Sequence, residues 1–257
     1  MRVCGLRALG PAGVFALWLS ACGTGPIDAL GLTPGALSDG LEAHWTFDEG
    51  SGTAVRDSSG KGHDGTINGT TWAWRTDGHF AGALRLQQGD YVTVDNFPDA
   101  TPGWTVSTWI NVASADVGMG EVTVISTEDV YKGGWEINLT ADSSHMEYHF
   151  GYWTGPNSND YLAHWECKNC IHPDQWQHVT AVVDGAALTL AFYLDGVLRH
   201  RLPVPHPILP GVPTLYMGRW ATTSPARLLA GSLDDIAIWS RALMSEEIAL
   251  LQQAPAP

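Results

Sequence analysis

The sequence predicts an all-β protein: a sandwich of two packed antiparallel sheets closed by one short C-terminal helix. Three observations predict it. Apolar and polar residues alternate along segment after segment, glycine and proline are abundant (Gly 29, Pro 15), and only one stretch carries helical periodicity. A dozen or more short strands with no helix to cross between them leave sheet-on-sheet packing as the way to bury their apolar faces.

The elements follow in chain order. Leu41-Glu-Ala-His-Trp-Thr-Phe47, Tyr91-Val-Thr-Val94, Trp104-Thr-Val-Ser-Thr-Trp-Ile-Asn-Val112, Glu121-Val-Thr-Val-Ile125 and Trp135-Glu-Ile-Asn-Leu139 alternate, with β-branched or aromatic residues on one face. Met146-Glu-Tyr-His-Phe-Gly-Tyr152 puts its aromatics on one face and Glu147 and His149 on the other. Trp176–Val183, Leu188–Leu194 and Val197–Leu202 are separated by Asp184-Gly185 and Asp195-Gly196. Asp-Gly is a strong hairpin signal because glycine tolerates positive φ, so these three strands are expected to form an antiparallel meander. Ser245-Glu-Glu-Ile-Ala-Leu-Leu-Gln252 reads as helix, with Ser245 as N-cap and two glutamates facing the positive end of the dipole.

A 257-residue chain that is 44% hydrophobic can bury a substantial core, which excludes intrinsic disorder and a disulfide-dense miniprotein. Lys+Arg 13 against Asp+Glu 27 leaves a charge of −14. Such a surface repels a phosphate backbone, so nucleic acid is not an expected partner.

Residues 1–21 have the anatomy of an export signal: Arg2 and Arg7, the apolar run Ala12–Leu19, then small residues. That run is too short to span a bilayer. Leu19-Ser-Ala-Cys22 resembles the lipobox of bacterial lipoproteins, which implies cleavage before Cys22 and its acylation; an ordinary signal cut near Ala21 is the alternative. Several acyl chains together anchor stably where one is marginal. Gly23 after the cysteine implies, by the same resemblance, sorting to the outer membrane. The expected mature chain is exported to the cell envelope, lipid-anchored, and about −16 in charge, since residues 1–21 hold two arginines and no acid. Residues 22–40 read as a Gly/Pro-rich tether, 41–252 as one domain and 253–257 as a tail.

The domain resembles the laminin-G-like, concanavalin A-like jelly-roll modules of bacterial surface proteins. His44-Trp-Thr-Phe-Asp-Glu-Gly-Ser-Gly through Asp57-Ser-Ser-Gly-Lys-Gly-His-Asp-Gly-Thr-Ile67 is close to that family's opening strand and glycine-rich loop. Gly82-Ala-Leu-Arg-Leu86, Asp90-Tyr-Val-Thr-Val94, Asp174-Gln-Trp-Gln-His-Val179 and Tyr193-Leu-Asp-Gly196 follow in family order. Leu229-Ala-Gly-Ser-Leu-Asp-Asp-Ile-Ala-Ile-Trp-Ser-Arg-Ala-Leu243 matches the closing strand. The resemblance implies a structural calcium held by Asp57 of the front loop, Asp234 of the closing strand and, less directly, Asp48. Carboxylates from loops are the hard oxygen ligands calcium takes. The same acids serve equally as turn caps on backbone amides.

Laminarinase-type glycosidases and alginate-lyase-type enzymes share this architecture, which makes a polysaccharide-active enzyme the less favoured alternative. A retaining glycosidase needs two carboxylates about 5–5.5 Å apart, which in laminarinases come from Glu-x-Asp-x-(x)-Glu on one strand. The nearest segment, Trp135-Glu-Ile-Asn-Leu139, offers Glu136 and Asn138 without a second acid and reads as an ordinary strand. A Gly-x-Ser-x-Gly elbow, a His-Glu-x-x-His pair and a phosphate loop are missing from the sequence. The expectation is a binding module rather than an enzyme.

Cys167 and Cys170 are the thiols left once Cys4 and Cys22 are set aside. In an exported protein they are expected to form a disulfide. A zinc site with His164 and His172, or free thiols, are the alternatives. Around them Trp153, Asn157, Asn159, Tyr161 and Trp165, with Arg219 and Trp220, form a candidate ligand patch. Sugar sites combine aromatic faces with hydrogen-bonding side chains, although each of these residues also has a structural reading. Trp45, Trp72, Trp104, Trp109, Trp176 and Trp239 fall in the family blocks and are expected to pack, and His44, His63, His178 and His206 are expected to be structural. The function expected is lectin-like binding of a glycan or polysaccharide. A cell-surface protein partner is the competing expectation, because fold does not choose between them.

Overall fold

The computed structural model describes residues 34–87, 89–98, 103–114, 120–128, 133–141, 146–152, 170–204, 209–221 and 228–257. Cys22 and the whole of residues 1–33 therefore lie outside the description. The chain divides after Thr33, and Pro34–Pro257 form one compact unit.

Period-two alternation produces fifteen strands among the described residues. They begin with β1 (Leu41–Trp45), β2 (Ala54–Val55), β3 (Gly65–Asn68), β4 (Ala73–Arg75), β5 (Ala83–Leu86) and β6 (Tyr91–Asp95). The middle of the chain supplies β7 (Trp104–Val112), β8 (Gly120–Ser126), β9 (Trp135–Ala141) and β10 (Met146–Tyr152). Then come β11 (Trp176–Asp184), β12 (Thr189–Leu194), β13 (Val197–Pro203), β14 (Thr214–Met217), β15 (Gly231–Trp239) and helix α1 (Ser245–Leu250).

Two antiparallel sheets result. The back sheet runs β13-β12-β11-β7-β15-β5-β4, with β1 also pairing β15, and the front sheet runs β10-β9-β8-β14-β6-β3-β2. Between them lies one apolar core that includes Trp45, Phe47, Leu84, Val92, Trp104, Val106, Ile125, Ile137, Phe192, Leu215, Met217 and Ile238. This is the two-sheet sandwich that the alternation predicts, with the jelly-roll architecture that the resemblance implies. No helix among the described residues is long and apolar enough to cross a membrane.

The two Asp-Gly turns differ. Asp195 (φ 52°) and Gly196 (φ 71°) make a two-residue turn with both centres left-handed. Asp184 instead pairs with Thr189, so four residues form that loop, and Asp184 Oδ1 accepts the N–H groups of Ala186 and Ala187. An Asx cap of this kind competes with the tight turn that Asp-Gly alone suggests.

Residues 36–41 and the C-terminal segment seal the outer face of the back sheet. Leu37, in a 3₁₀ turn over Pro34–Ser38, packs with Leu41, Trp239, Leu243, Ile248 and Leu251. Trp239 Nε1 donates to the Leu37 carbonyl at 2.6 Å. Arg241 bonds the Ala36 and Asp39 carbonyls and forks onto the buried Glu247 at 2.7 and 2.8 Å. Residues 34–40, expected in the tether, thus belong to the fold because Leu37 has an apolar surface to cover. Ala256 of the expected tail is buried too, its N–H donating to Asp235. The helix begins one residue earlier than a Ser245 cap requires: Met244 is the N-cap, Glu247 reaches back to its N–H at 2.8 Å, and the Ser245 hydroxyl bonds Tyr193 instead.

Candidate functional site

Register places one row of residues across the outer face of the front sheet. Thr66 pairs with Thr93, Thr93 with Tyr216, Tyr216 with Ser126, and Ser126 with Glu136. Directly opposed residues share a face, and their neighbours Ile67, Val92, Val94, Leu215, Met217, Ile125 and Ile137 point into the core. The row is half-open at Thr93 and Tyr216 and closed at Ser126 and Glu136.

Tyr91, two residues before Thr93, stands beside Tyr216 with ring centroids 6.3 Å apart. Gly218 (φ 85°) then turns the chain off β14. A Cβ there would meet Leu86 Cδ1 at 2.4 Å, so the turn needs glycine. The turn throws Arg219 across both rings, its guanidinium carbon 4.6 Å from the Tyr91 centroid and 5.5 Å from that of Tyr216. Trp220 is half-buried next to it and donates from Nε1 to Glu128 Oε2 at 3.1 Å. Asn68 Nδ2 bonds Thr93 Oγ1 at 3.1 Å on the same face. A cation held on two rings, a third aromatic side chain and a fringe of amide and hydroxyl groups form one polar-aromatic platform. Such a surface can stack the C–H face of a ring and hydrogen-bond its substituents.

Arg219 and Trp220 of the expected patch are thus together. Trp153, Asn157, Asn159, Tyr161 and Trp165 lie outside the described residues. Tyr91 and Tyr216 were missed, although alternation holds the signal: in Tyr-Val-Thr-Val and Thr-Leu-Tyr-Met the tyrosines fall opposite the core residues. Glu128 and Glu136 are both buried, Glu128 held by Trp220 and Glu136 by the Asn138 side-chain amide.

A second arrangement involves the expected calcium ligands. Asp234 sits where β15 shifts register against β7, and Asp235 beside it has φ 46°. The bulge turns both acids off the core side. Asp234 Oδ2 accepts the Phe80 N–H at 2.9 Å, and Asp48 Oδ1 accepts the Gly82 N–H at 2.6 Å, so one loop spans the two carboxylates. That loop admits no Cβ at Gly78, which would lie 1.8 Å from the Gly82 carbonyl oxygen. Asp234 is 1% exposed and its Oδ1 is buried without a hydrogen bond. Burial pushes its carboxyl up to about 6, with Asp235 and Asp48 adding to the rise and the Phe80 amide opposing it. A buried carboxylate oxygen lacking a partner, beside a second carboxylate, fits a hard cation such as calcium.

Asp57 stands apart from that pair. Its Oδ1 accepts the His44 and Ser59 N–H groups, and its Oδ2 accepts the His63 N–H and the Ser59 hydroxyl, at 2.9–3.0 Å. Burial would raise its pKa, but those four donors outweigh it and hold the carboxyl low. Among the described residues no three His, Cys, Asp or Glu side chains converge on one metal position. The expected trio of Asp48, Asp57 and Asp234 therefore reduces to a pair, completed in any calcium site by backbone or water oxygens.

Cys170 is disulfide-bonded, so its sulfur is not a zinc thiolate. Its expected partner Cys167 and the alternative ligand His164 lie outside the described residues.

Comparison with known sequences places this geometry in a family. Residues 86–249 match the sequence profile of the concanavalin A-like lectin/glucanases superfamily. The chain belongs to that superfamily. No curated protein sequence matches it significantly. Among solved structures, the superfamily fold is shared with domain 4 of an extracellular arabinanase from Geobacillus stearothermophilus, in complex with arabinotriose. That match has a TM-score of 0.57 and 20% identity over 83% of this chain and 98% of that domain. The botulinum neurotoxin serotype D binding domain gives a TM-score of 0.63 and 15% identity over 85% of this chain. A botulinum neurotoxin DC binding domain in complex with rat synaptotagmin II gives 0.63 and 15% over 84%. This chain spans about half of each toxin domain, 52% in both cases. At these identities the likenesses concern the fold.

Proposed function

We propose that the protein is a non-catalytic carbohydrate-binding lipoprotein of the bacterial cell envelope, acylated at Cys22, held at the outer membrane and stabilised by calcium at Asp48 and Asp234. The observation that carries the binding assignment is Arg219 lying across Tyr91 and Tyr216, with Trp220 alongside, on the open half of the front sheet. Superfamily membership and a neighbour in complex with arabinotriose support a glycan as the ligand. Trp153, Tyr161 and Trp165, with Asn157 and Asn159, extend the site in this reading.

Affinity electrophoresis through soluble polysaccharides tests it. Trp220→Ala and Arg219→Ala are each expected to weaken retention about tenfold or more, as truncating a central aromatic or arginine anchor does, with melting temperature unchanged in Arg219→Ala and lowered in Trp220→Ala, which loses the donor to buried Glu128. Retention equal to wild type in both variants rejects the site. A protein partner is the second reading, favoured by the neighbour in complex with synaptotagmin. Its signature is capture of a cell-surface protein that excess glycan does not compete.

The Cys167–Cys170 pairing belongs to the same reading. Mature protein is expected to gain two hydrogens on reduction by intact-mass analysis, and an unchanged mass rejects the bridge.

A further inference from the structure

The loop after β1 borders an open cleft of about 540 Å³ lined by Thr46, Asp48, Ser51, Thr53, Arg56 and Ser58, among others. Several bonds pin the loop: Trp74 Nε1 donates to the Gly52 carbonyl at 3.0 Å, the Arg56 N–H to Glu49 at 2.6 Å, and the Gly82 N–H to Asp48 at 2.6 Å. Gly50 and Gly52 hold positive φ (63° and 79°), which fixes the turn of the loop beyond Phe47, whose side chain is buried in the core. The cleft is therefore preformed rather than a gap between flexible side chains.

Its carboxylates are spent on backbone amides, but its hydroxyls and guanidinium have no partner among the described residues. The hydroxyls of Thr46, Ser51, Thr53 and Ser58 and the guanidinium of Arg56 make no hydrogen bond or ion pair among the described residues. Elsewhere on this surface the equivalent groups are engaged: Arg75 forks onto Asp77, and Ser59 bonds Asp57 and the Glu42 carbonyl. A fixed wall of hydroxyls with one forked donor suits a ligand whose own groups both donate and accept, and adjacent sugar hydroxyls do both. Asp48 and Glu49 give the calcium-free lining two acids against one arginine, which disfavours an anionic ligand there. Trp74, anchored at the rim by Gly52 and set edge-on to Trp72 at 6.2 Å, offers a half-exposed aromatic edge.

We infer that this cleft is a second carbohydrate subsite, taking a neutral sugar unit through Arg56 and the loop hydroxyls. The inference rests on the carbohydrate reading above for the class of ligand, but uses none of the front-sheet residues; its lining shares only Asp48 with the proposed calcium pair. Two subsites on one domain raise the avidity for a polysaccharide beyond either alone.

The test titrates the full chain in detergent micelles with arabinotriose, xylotriose, cellotriose and mannotriose, each to about 10 mM because small single-site ligands bind weakly. It reads stoichiometry by calorimetry and location by hydrogen exchange. Wild type is expected to take two molecules of one of these sugars, with exchange slowed in residues 46–58 and in 214–221. Arg56→Ala keeps the second protection and loses the first, with affinity at the cleft falling about tenfold. Arg219→Ala does the reverse. Protection confined to 214–221 and unaltered by Arg56→Ala overturns the cleft and leaves the front-sheet site standing. Protection confined to 46–58 upholds the cleft and overturns the front-sheet site. No protection with any of the four sugars overturns both.

Discussion

Acidification from pH 7 to pH 5 is expected to cost the fold about 2 kcal/mol through His178 alone, at about 1.4 kcal/mol per pH unit below the histidine's ordinary pKa. His178 is fully buried on β11, with Ser107 Oγ 2.6 Å from its Nε2 and Gln252 bonded to its Nδ1. Burial, and then the nearby His79, hold its pKa down at about 3, from 6.5. The unfolded chain therefore takes up the proton first. The contribution is intact above pH 6.5 and is lost progressively as pH falls toward 3. In calcium-free protein Asp234 acts in the opposite sense: its raised pKa of about 6 makes the folded carboxyl the better proton acceptor, adding stability as pH falls below 6. A His178→Gln variant separates the two. Its unfolding free energy is expected to fall by about 2 kcal/mol less than wild type between pH 7 and 5, measured by urea denaturation at each pH. Parallel pH profiles would show that His178 is not buried neutral.

Replacing millimolar calcium by chelator is expected to lower Tm by roughly 5–10 °C. A ligand at about 100 times its dissociation constant stabilises by about 2.7 kcal/mol, and a domain of this size shifts about 2–4 °C per kcal/mol. Asp48 and Asp234 flank one loop, and Asp234 Oδ1 has no hydrogen-bond partner among the described residues. Asp234→Asn is thus expected to abolish the calcium response. Asp57→Asn is expected to keep that response while costing about 1–2 kcal/mol outright, because it weakens a carboxylate holding three backbone amides. A response lost in Asp57→Asn and retained in Asp234→Asn would reverse the assignment.

Much of the sandwich was legible because long strands announce themselves. Trp104–Val112 and Trp176–Asp184 pair along their length with the expected faces inward. Ala54–Val55 and Ala73–Arg75 were not legible, since two or three residues contain no period to read. Asp57 was ambiguous for a chemical reason: a carboxylate that caps a glycine-rich loop and one that binds calcium stand in the same local sequence, and only the four donors tell them apart. The Asp48–Asp234 pair depends on a loop between strands far apart in sequence, which local pattern does not encode. On the front sheet, Arg219 and Trp220 were legible as polar-aromatic residues after a strand. The tyrosines beneath Arg219 required knowing that β6 and β14 are neighbours.

The central claim is that the front-sheet face binds a glycan, and a glycan and polysaccharide array tests it most directly. Wild type and Arg219→Ala are compared in calcium and in chelator, with folding of each sample checked by near-UV circular dichroism. The account predicts retention on a defined sugar class by wild type in calcium, and its loss in Arg219→Ala. Silence from folded wild type, or equal binding by the variant, would contradict it.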